Sequence, residues 1–525
     1  MSFRCPLLIV ALAIALGGCA ALPSQVQRPA SSAAAAETVA TTTLARIAAE
    51  SAPSQAADQS GLRLLPDGEQ AFDARIALAR RAEKTIDAQY YLIASDTTGL
   101  QFLRELRDAA ARGVRVRLLV DDLYAAGQYA LLAGLAAHPN VEVRLFNPLP
   151  VREGSFASRI AFSLHQVSRI NRRMHNKLFV ADNSFAVAGG RNIADEYFGR
   201  AEPANFIDMD VLVSGAAVRE MSSAFDAYWN SEHVYPVQSL TRAAPAAPEQ
   251  FDAQVDAVAP VAPLEGRDAL GQTPVAAQIA AGRVEQSGGS VRVLADAPDK
   301  IASTDGADGA VMHANLEMIR SAQSEVLIAS PYFVPGERGI AAMQQAIDRQ
   351  VRLSVMTNSL ATTDEPLVHY GYSRYRQTIA RMGAALYELM PGAQTTRRAD
   401  ESTGGYGASG SSRGSLGRLH AKVAVVDQRS LYIGSMNMDR RSAHCNTEFG
   451  LIIESPELAR DVARLLHREQ APRSYRVKWA GAEQRIEWVQ SQPSGERVFT
   501  REPGTAWNSN LTVRAAALLV NEEML

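Results

Sequence analysis

The feature that most constrains this chain is a long stretch of sequence that occurs twice. "AEKTIDAQYYL" from Ala82 returns as "AQSEVLIASPYFV" from Ala322, "ARGVRVRLLVDD" as "DRQVRLSVMTNS", and "VEVRLFNP" as "AALYELMP". A fourth pair, "MHNKLFVADNSFAVAGGRN" (Met174 to Asn192) and "LHAKVAVVDQRSLYIGSMN" (Leu419 to Asn437), agrees residue for residue in length. Four matches in one order, offset by roughly 240 residues, mark an internal duplication. Helical patterns lie between the apolar runs, such as "LQFLRELRDAAARG" with Leu100, Leu103, Leu106 and Ala110 on one face. Short apolar runs alternating with amphipathic helices predict an α/β fold with a largely buried sheet. With 525 residues the chain is too long for one ordinary domain and suits two such α/β domains plus linkers.

The remaining segments set the boundaries. Arg4 precedes the apolar run "PLLIVALAIAL", too short to cross a bilayer and suited to the core of a signal peptide over residues 1–18. "LGGC" follows and resembles the lipobox of bacterial lipoproteins, which implies acylation of Cys19; ordinary cleavage nearby would leave Cys19 incidental. Two or more acyl chains anchor a protein stably where one does not. Ala20 after the cysteine resembles an outer-membrane address, so the expected location is the periplasmic side of the cell envelope. Residues 19–60, rich in Ala, Ser and Thr, are expected to be a tether. The first domain spans 61–242, an Ala/Pro-rich linker with some possible helix spans 243–290, and the second domain with a C-terminal extension spans 291–525. A Gly/Ser stretch from Ala399 to Gly417 interrupts the second copy just before its motif.

A net charge of −3 gives no overall push toward nucleic acid, and none is expected as a partner. Three cysteines, Cys5 in the signal, Cys19 and Cys445, supply neither a disulfide framework nor a C-x-x-C metal site. No cofactor and no metal are expected.

The repeated long stretch carries the chemistry. In a strand, residues two apart share a face, so His175 and Lys177 project together, as do His420 and Lys422. "DNS" and "DQR" are turn chemistry between apolar runs and make each copy a hairpin. Turns centred on Asn183-Ser184 and Gln428-Arg429 would fold Asn192 back opposite His175 and Asn437 opposite His420. The small pairs Gly189-Gly190 and Gly434-Ser435 are expected to lead into helix starts whose free amides receive an anion. Each copy then offers an imidazole, a fixed cation, a neutral donor and free amides around one point, with Ser435 an extra donor in the second copy. That set binds phosphate. Asp182 and Asp427 complete the H-x-K-x4-D spacing, yet they lie at the turn on the opposite strand face and are expected to brace the hairpin rather than touch substrate.

Two H-x-K-x4-D copies in a duplicated fold resemble the phospholipase D superfamily, whose motifs meet where two α/β halves pack pseudo-symmetrically. "NRRMHNKLFVAD", "GGRNIADEYF", "FIDMDVLVSG" and "GSMNMDRRSAHCNTEFG" look most like the cardiolipin synthase C branch. The resemblance covers about Leu62 to the C-terminus. It implies catalytic His175, Lys177 and Asp182 with His420, Lys422 and Asp427, with Asn192, Asn437 and Ser435 on the phosphate. It further implies His175 as nucleophile, forming a phosphohistidine, and His420 as acid and then base. A carboxylate behind each imidazole fixes its tautomer. Alignment of the strand-like runs "FIDMDVLV" and "NTEFGLII" selects Asp208 and Glu448, with Asp210 as the fallback.

The expected reaction is phosphatidyl transfer between phospholipids, with phosphatidylethanolamine and phosphatidylglycerol as substrates, phosphatidylglycerol accepting, and cardiolipin as product. Hydrolysis to phosphatidic acid is the first alternative, and a non-catalytic lipid-binding lipoprotein the second. No partner protein is identified. "FASRIAFSLHQVSRINRR", with Arg159, Arg169, Arg172 and Arg173, reads either as a basic helix resting on lipid headgroups or as a core helix with a solvated basic face.

Overall fold

A computed structural model describes residues 22–504, except 24, 54–55, 57, 152–155, 164–165, 241–247, 304–307 and 393–415. The signal peptide, Cys19 and the Gly/Ser stretch as far as residue 415 lie outside the described residues.

The duplicated runs become duplicated sheets. In the first half, Thr85–Tyr90, Arg115–Asp121 and Val141–Phe146 pair in parallel and are almost wholly buried, with the charged Arg117 of the middle strand bound to Asp87 of its neighbour. The hairpin Leu178–Ala181 and Phe185–Gly189 then joins antiparallel, followed by Asp210–Gly215 and Gln59–Leu65. Glu325–Ala329, Arg352–Asn358 and Ala385–Leu389, with the hairpin Val423–Val426 and Ser430–Gly434, repeat this order in the second half, ending on Phe449–Glu454 and Ser287–Ala295. The two equivalent end strands pair with each other, Gln59 opposite Ser290 and Leu62 opposite Ser287, so the halves form one 18-stranded sheet among the described residues. One buried apolar cluster runs through both halves, with Leu62, Met174 and Trp229 from the first and Leu327, Leu419 and Leu451 from the second. The halves therefore share a core.

Helix Thr97–Ala111 forms where the apolar spacing places it. Asp96 caps its first turn by accepting from the Gly99 amide, and Leu103, Leu106 and Ala110 are buried. A meander of Ser474–Ala480, Arg485–Gln492 and Gly495–Phe499 extends the far edge of the sheet.

The segments expected to be loose are packed. Thr43–Ser51 is a helix with Leu44 and Ile47 fully buried in the first-half core, and the Thr42 hydroxyl accepts from the Ala45 amide at its start. Upstream of it, the carbonyls of Pro29, Ser31 and Ser32 accept from Arg144, Arg117 and Arg115. The tether expected over 19–60 is thus bound to the protein body for most of its described length, because its sparse apolar residues find buried places that composition does not reveal. The same holds for the linker: helix Pro248–Asp256 buries Phe251 and Val255, and Arg104 and Gln101 donate to the carbonyls of Val258 and Ala259.

Candidate active site

The hairpins place the two motifs. Each turn has two residues with positive φ, Asp182 and Asn183 in one and Asp427 and Gln428 in the other. The Ser184 amide donates to the Ala181 carbonyl and the Arg429 amide to that of Val426, the bond of a type I′ turn, within loops of three residues between the paired strands. The strand register, with Leu178 facing Ala188 and Val423 facing Ile433, centres the hairpins on Asn183 and Gln428 rather than between Asn183 and Ser184 or between Gln428 and Arg429. The strands also begin only at Leu178 and Val423, so each His-x-Lys is an extended lead-in, not part of the ladder.

That lead-in pairs with the other half. Met174 bridges Thr447 in parallel, and the His175 amide donates to the Thr447 carbonyl at 2.9 Å. Symmetrically, Leu416–Leu419 pairs in parallel with Ala204–Ile207, and the amides of His420 and Ala421 donate to the Ile207 carbonyl. Glu448 follows Thr447 and Asp208 follows Ile207. Each carboxylate consequently reaches the histidine of the opposite half: His175 Nδ1 lies 3.0 Å from Glu448 Oε2, and His420 Nδ1 lies 2.6 Å from Asp208 Oδ2. With Nδ1 donating to a carboxylate, Nε2 is the nitrogen of each ring that no carboxylate holds. Asp210, the fallback, is bound to Arg75 at 2.9 Å and faces Arg191 at 3.5 Å instead.

All of these groups are buried, His175 at 8% and His420 at 5% exposure. Burial, reinforced by the nearby lysines, outweighs Glu448 and lowers His175 to about 4. Burial and then Lys422 lower His420, against the opposing pull of Asp208. Lys422 falls to about 8 and Lys177 well below its usual range, both chiefly through burial. Burial alone would raise Asp208 and Glu448, but their histidine partners hold both below the ordinary carboxylate range. Each lysine ammonium donates to the carbonyl of its own motif histidine at 2.6 Å, and Lys422 Nζ also lies 3.0 and 3.1 Å from the His420 ring nitrogens.

Other expected roles come out differently. Asp182 accepts from the amides of Glu83, Lys84 and Thr85, and Asp427 from those of Gln323, Ser324 and Glu325. Both tie the hairpin to a neighbouring strand, which removes them from a catalytic set and fits the bracing role. Ser435 donates to Glu448 and accepts from the Phe449 amide, so its hydroxyl holds the carboxylate rather than a phosphate. The amides of Gly190 and Ser435 donate to the carbonyls of Met209 and Phe449 and are not free for an anion. No helix starts at either small pair; the next helical turns are Asp195–Tyr197 and Arg440–His444. Gly190 is required for another reason: a Cβ there would lie 2.2 Å from Asp208 Oδ1. Asn192 donates to the Tyr197 hydroxyl at 2.9 Å, while Asn437 Oδ1 is buried with no partner among the described residues.

The basic helix resolves into Phe156–Ser163 and Val167–Ile170. Arg159 is buried against Asp122 at 2.7 Å and Arg173 against Asp121 at 3.2 Å, so the face is not a solvated basic stripe. The rings around the histidines escaped sequence reasoning. Tyr91 stands edge-on to His175 at 5.1 Å, and Tyr197 and Phe206 contact His420 at 5.1 and 4.7 Å. Their only sequence signal is closeness to a strand end or to Asn192. Among the described residues one cluster has the spacing of a metal site, Glu232, His233 and Asp299, and none of these belongs to the histidine centre.

Two α/β halves that present paired H-x-K segments at their seam define a phospholipase D-like fold. A family model described as cardiolipin synthase, phospholipase D-like domain, matches residues 76–229 and again 316–469. Cardiolipin synthase C of Escherichia coli is 34% identical over 491 residues, covering 90% of this chain and 98% of that protein. Cardiolipin synthase of Geobacillus kaustophilus is 28% identical, covering 73% and 61%. Among solved structures, the phosphatidylserine synthase of Haemophilus influenzae shares the fold with a TM-score of 0.56 at 15% identity, covering 89% of this chain and 95% of that one. The chain belongs to the phospholipase D-like cardiolipin synthase family.

Proposed function

We propose that this protein is a phosphatidyltransferase that joins a phospholipid donor to phosphatidylglycerol and makes cardiolipin. The observation that carries the reading is the crossed pair of imidazoles, each held by a carboxylate from the opposite half. His175 Nε2 attacks the donor phosphorus, and the bond from phosphorus to the headgroup oxygen breaks as His420 gives that oxygen a proton. The resulting phosphohistidine is displaced by a phosphatidylglycerol hydroxyl, whose proton passes to His420. The lowered pKa of His175 keeps its ring neutral and nucleophilic. A phosphodiester anion between the rings raises the basicity of His420 and so supplies the protonated acid once substrate is bound. Lys177, Lys422, the second amide hydrogen of Asn192 and the amide nitrogen of Asn437 donate to the non-bridging oxygens.

Hydrolysis to phosphatidic acid is the competing reaction, and the likeness to cardiolipin synthases over most of the chain does not favour it. Transfer requires the second lipid to be held in attacking position while water is excluded. Purified protein on vesicles of phosphatidylethanolamine and phosphatidylglycerol is expected to make cardiolipin in excess of phosphatidic acid. An excess of phosphatidic acid with abundant phosphatidylglycerol would replace the transferase reading with a hydrolase one. The protein is further proposed to be anchored through acylated Cys19 on the periplasmic side of the outer membrane. Membrane association unchanged in a correctly processed Cys19→Ala protein would overturn that anchor.

A further inference from the structure

The two walls of the site are not equivalent. Ile93 bridges Ile193 in the first half and Phe333 bridges Met438 in the second, which sets Leu92 in the place of Tyr332. Strand Arg115–Asp121 corresponds to Arg352–Asn358, and helix Tyr129–Leu135 begins where Pro366–Arg381 begins. Counting from either element puts Gly127 in the place of Asp364. The second half alone therefore carries a tyrosine and a carboxylate here, and the two are joined: Tyr332 donates to Asp364 Oδ2 at 2.6 Å.

Asp364 Oδ1 is shut off from solvent with no donor among the described residues, and so is Asn437 Oδ1, whose residue is 5% exposed. These residues lie on one wall, since Met438 after Asn437 is bridged to Phe333 after Tyr332. Two buried acceptors without donors each cost free energy that a donor-bearing ligand would recover. The wall belongs to His420, because the negative charge of Asp364 raises both His420 and Lys422 against their burial. Glu196 and Glu365 feel the same charge, offset in part by Arg418 and Arg441 respectively. The His175 wall instead presents Tyr91 and Tyr124, edge-on to each other at 5.3 Å.

We infer that Asp364 is a specificity-determining residue that, with Asn437, receives the ammonium group of an amino-alcohol headgroup on the donor lipid. The inference rests on the reading of His420 as the acid that protonates the leaving oxygen. The headgroup leaves on that side, and an ammonium a short chain beyond its oxygen meets acceptors in need of donors, one of them the Asp364 carboxylate. A glycerol headgroup brings hydroxyl donors without the charge and is accepted less well.

Full-length protein on vesicles holding phosphatidylethanolamine and phosphatidylglycerol in equal amounts tests this through the ratio of ethanolamine to glycerol released. Asp364→Asn is expected to lower that ratio at least tenfold, and Asp364→Glu to restore part of it. A ratio unchanged in Asp364→Asn, whatever happens to the total rate, would overturn the inference. Unmodified protein gives an independent reading with N-acetylated phosphatidylethanolamine, whose headgroup keeps its shape near the phosphate and loses its charge. It is expected to be used at least tenfold more slowly than phosphatidylethanolamine, and equal use would overturn the inference. Because released headgroup is counted, the result is separate from the fate of the phosphatidyl group. Phosphatidic acid in place of cardiolipin would sink the transferase reading and leave this one standing.

Discussion

Glu448 accepts from the imidazole of His175 at 3.0 Å although 273 residues separate them, and it belongs to the opposite half. Asp208 does the same for His420 across 212 residues. Neither half thus holds a complete histidine–carboxylate pair, and one half expressed alone would present an imidazole with no orienting group.

Removing one of these carboxylates keeps the ring in place but loosens its tautomer. Glu448→Gln is expected to lower kcat on the order of 10²- to 10⁴-fold, in line with positioned acid–base groups. Asp208→Asn should act comparably. Steady-state turnover on mixed vesicles checks both, and a loss under threefold in either would remove that carboxylate from the site.

The pH dependence follows from the His175 shift. Burial leaves the ring neutral down to about 4, so the acid limb of kcat/KM, which reports the free enzyme, is expected near pH 4 rather than near 6.5. Glu448 raises the His175 pKa, so Glu448→Gln should move that limb to still lower pH. The stability effect has a definite sign too. The folded pKa lies below the unfolded one, so the stabilisation is complete above about 6.5 and is lost as pH falls toward 4. A pH–rate profile and thermal melts over pH 4 to 7.5 test the two expectations separately.

The covalent step separates the histidines. His175→Ala should abolish turnover and leave no phosphorylated protein, whereas His420→Ala should slow release and let an acid-labile phosphohistidine accumulate. Mass spectrometry of quenched reactions distinguishes them. Appreciable turnover in both single variants would end the two-histidine mechanism.

The N-terminal segment gives a stability test away from the site. Leu44 is fully buried against the first-half core, so Leu44→Ala is expected to cost about 2–5 kcal/mol. A thermal melt unchanged by Leu44→Ala would return residues 22–53 to the role of a free tether.

A hairpin brace predicts a further split. Asp182 satisfies three backbone amides and sits away from the histidines, so Asp182→Ala should lower the melting temperature well before it lowers kcat of the folded protein. Loss of kcat with an unchanged melt would put Asp182 back among the catalytic residues.

The sequence by itself determined what depends on neighbours along the chain. Apolar periodicity, turn residues and the repeated order of four segments were enough for two α/β halves, two hairpins, and a lysine two residues after each histidine. Aligning "FIDMDVLV" with "NTEFGLII" was enough to select Asp208 over Asp210. Tertiary structure decided what depends on partners far away in sequence. It crossed the carboxylates because each His-x-Lys lead-in pairs with a strand of the other half. It turned Ser435 toward Glu448 and closed the Gly190 and Ser435 amides on carbonyls. It seated Leu44 and Phe251, from segments whose composition reads as linker, in buried places that only the folded neighbours create. Local rules set the direction of a side chain, whereas which group it meets is set by long-range pairing and packing, and a lone sequence carries no record of that pairing.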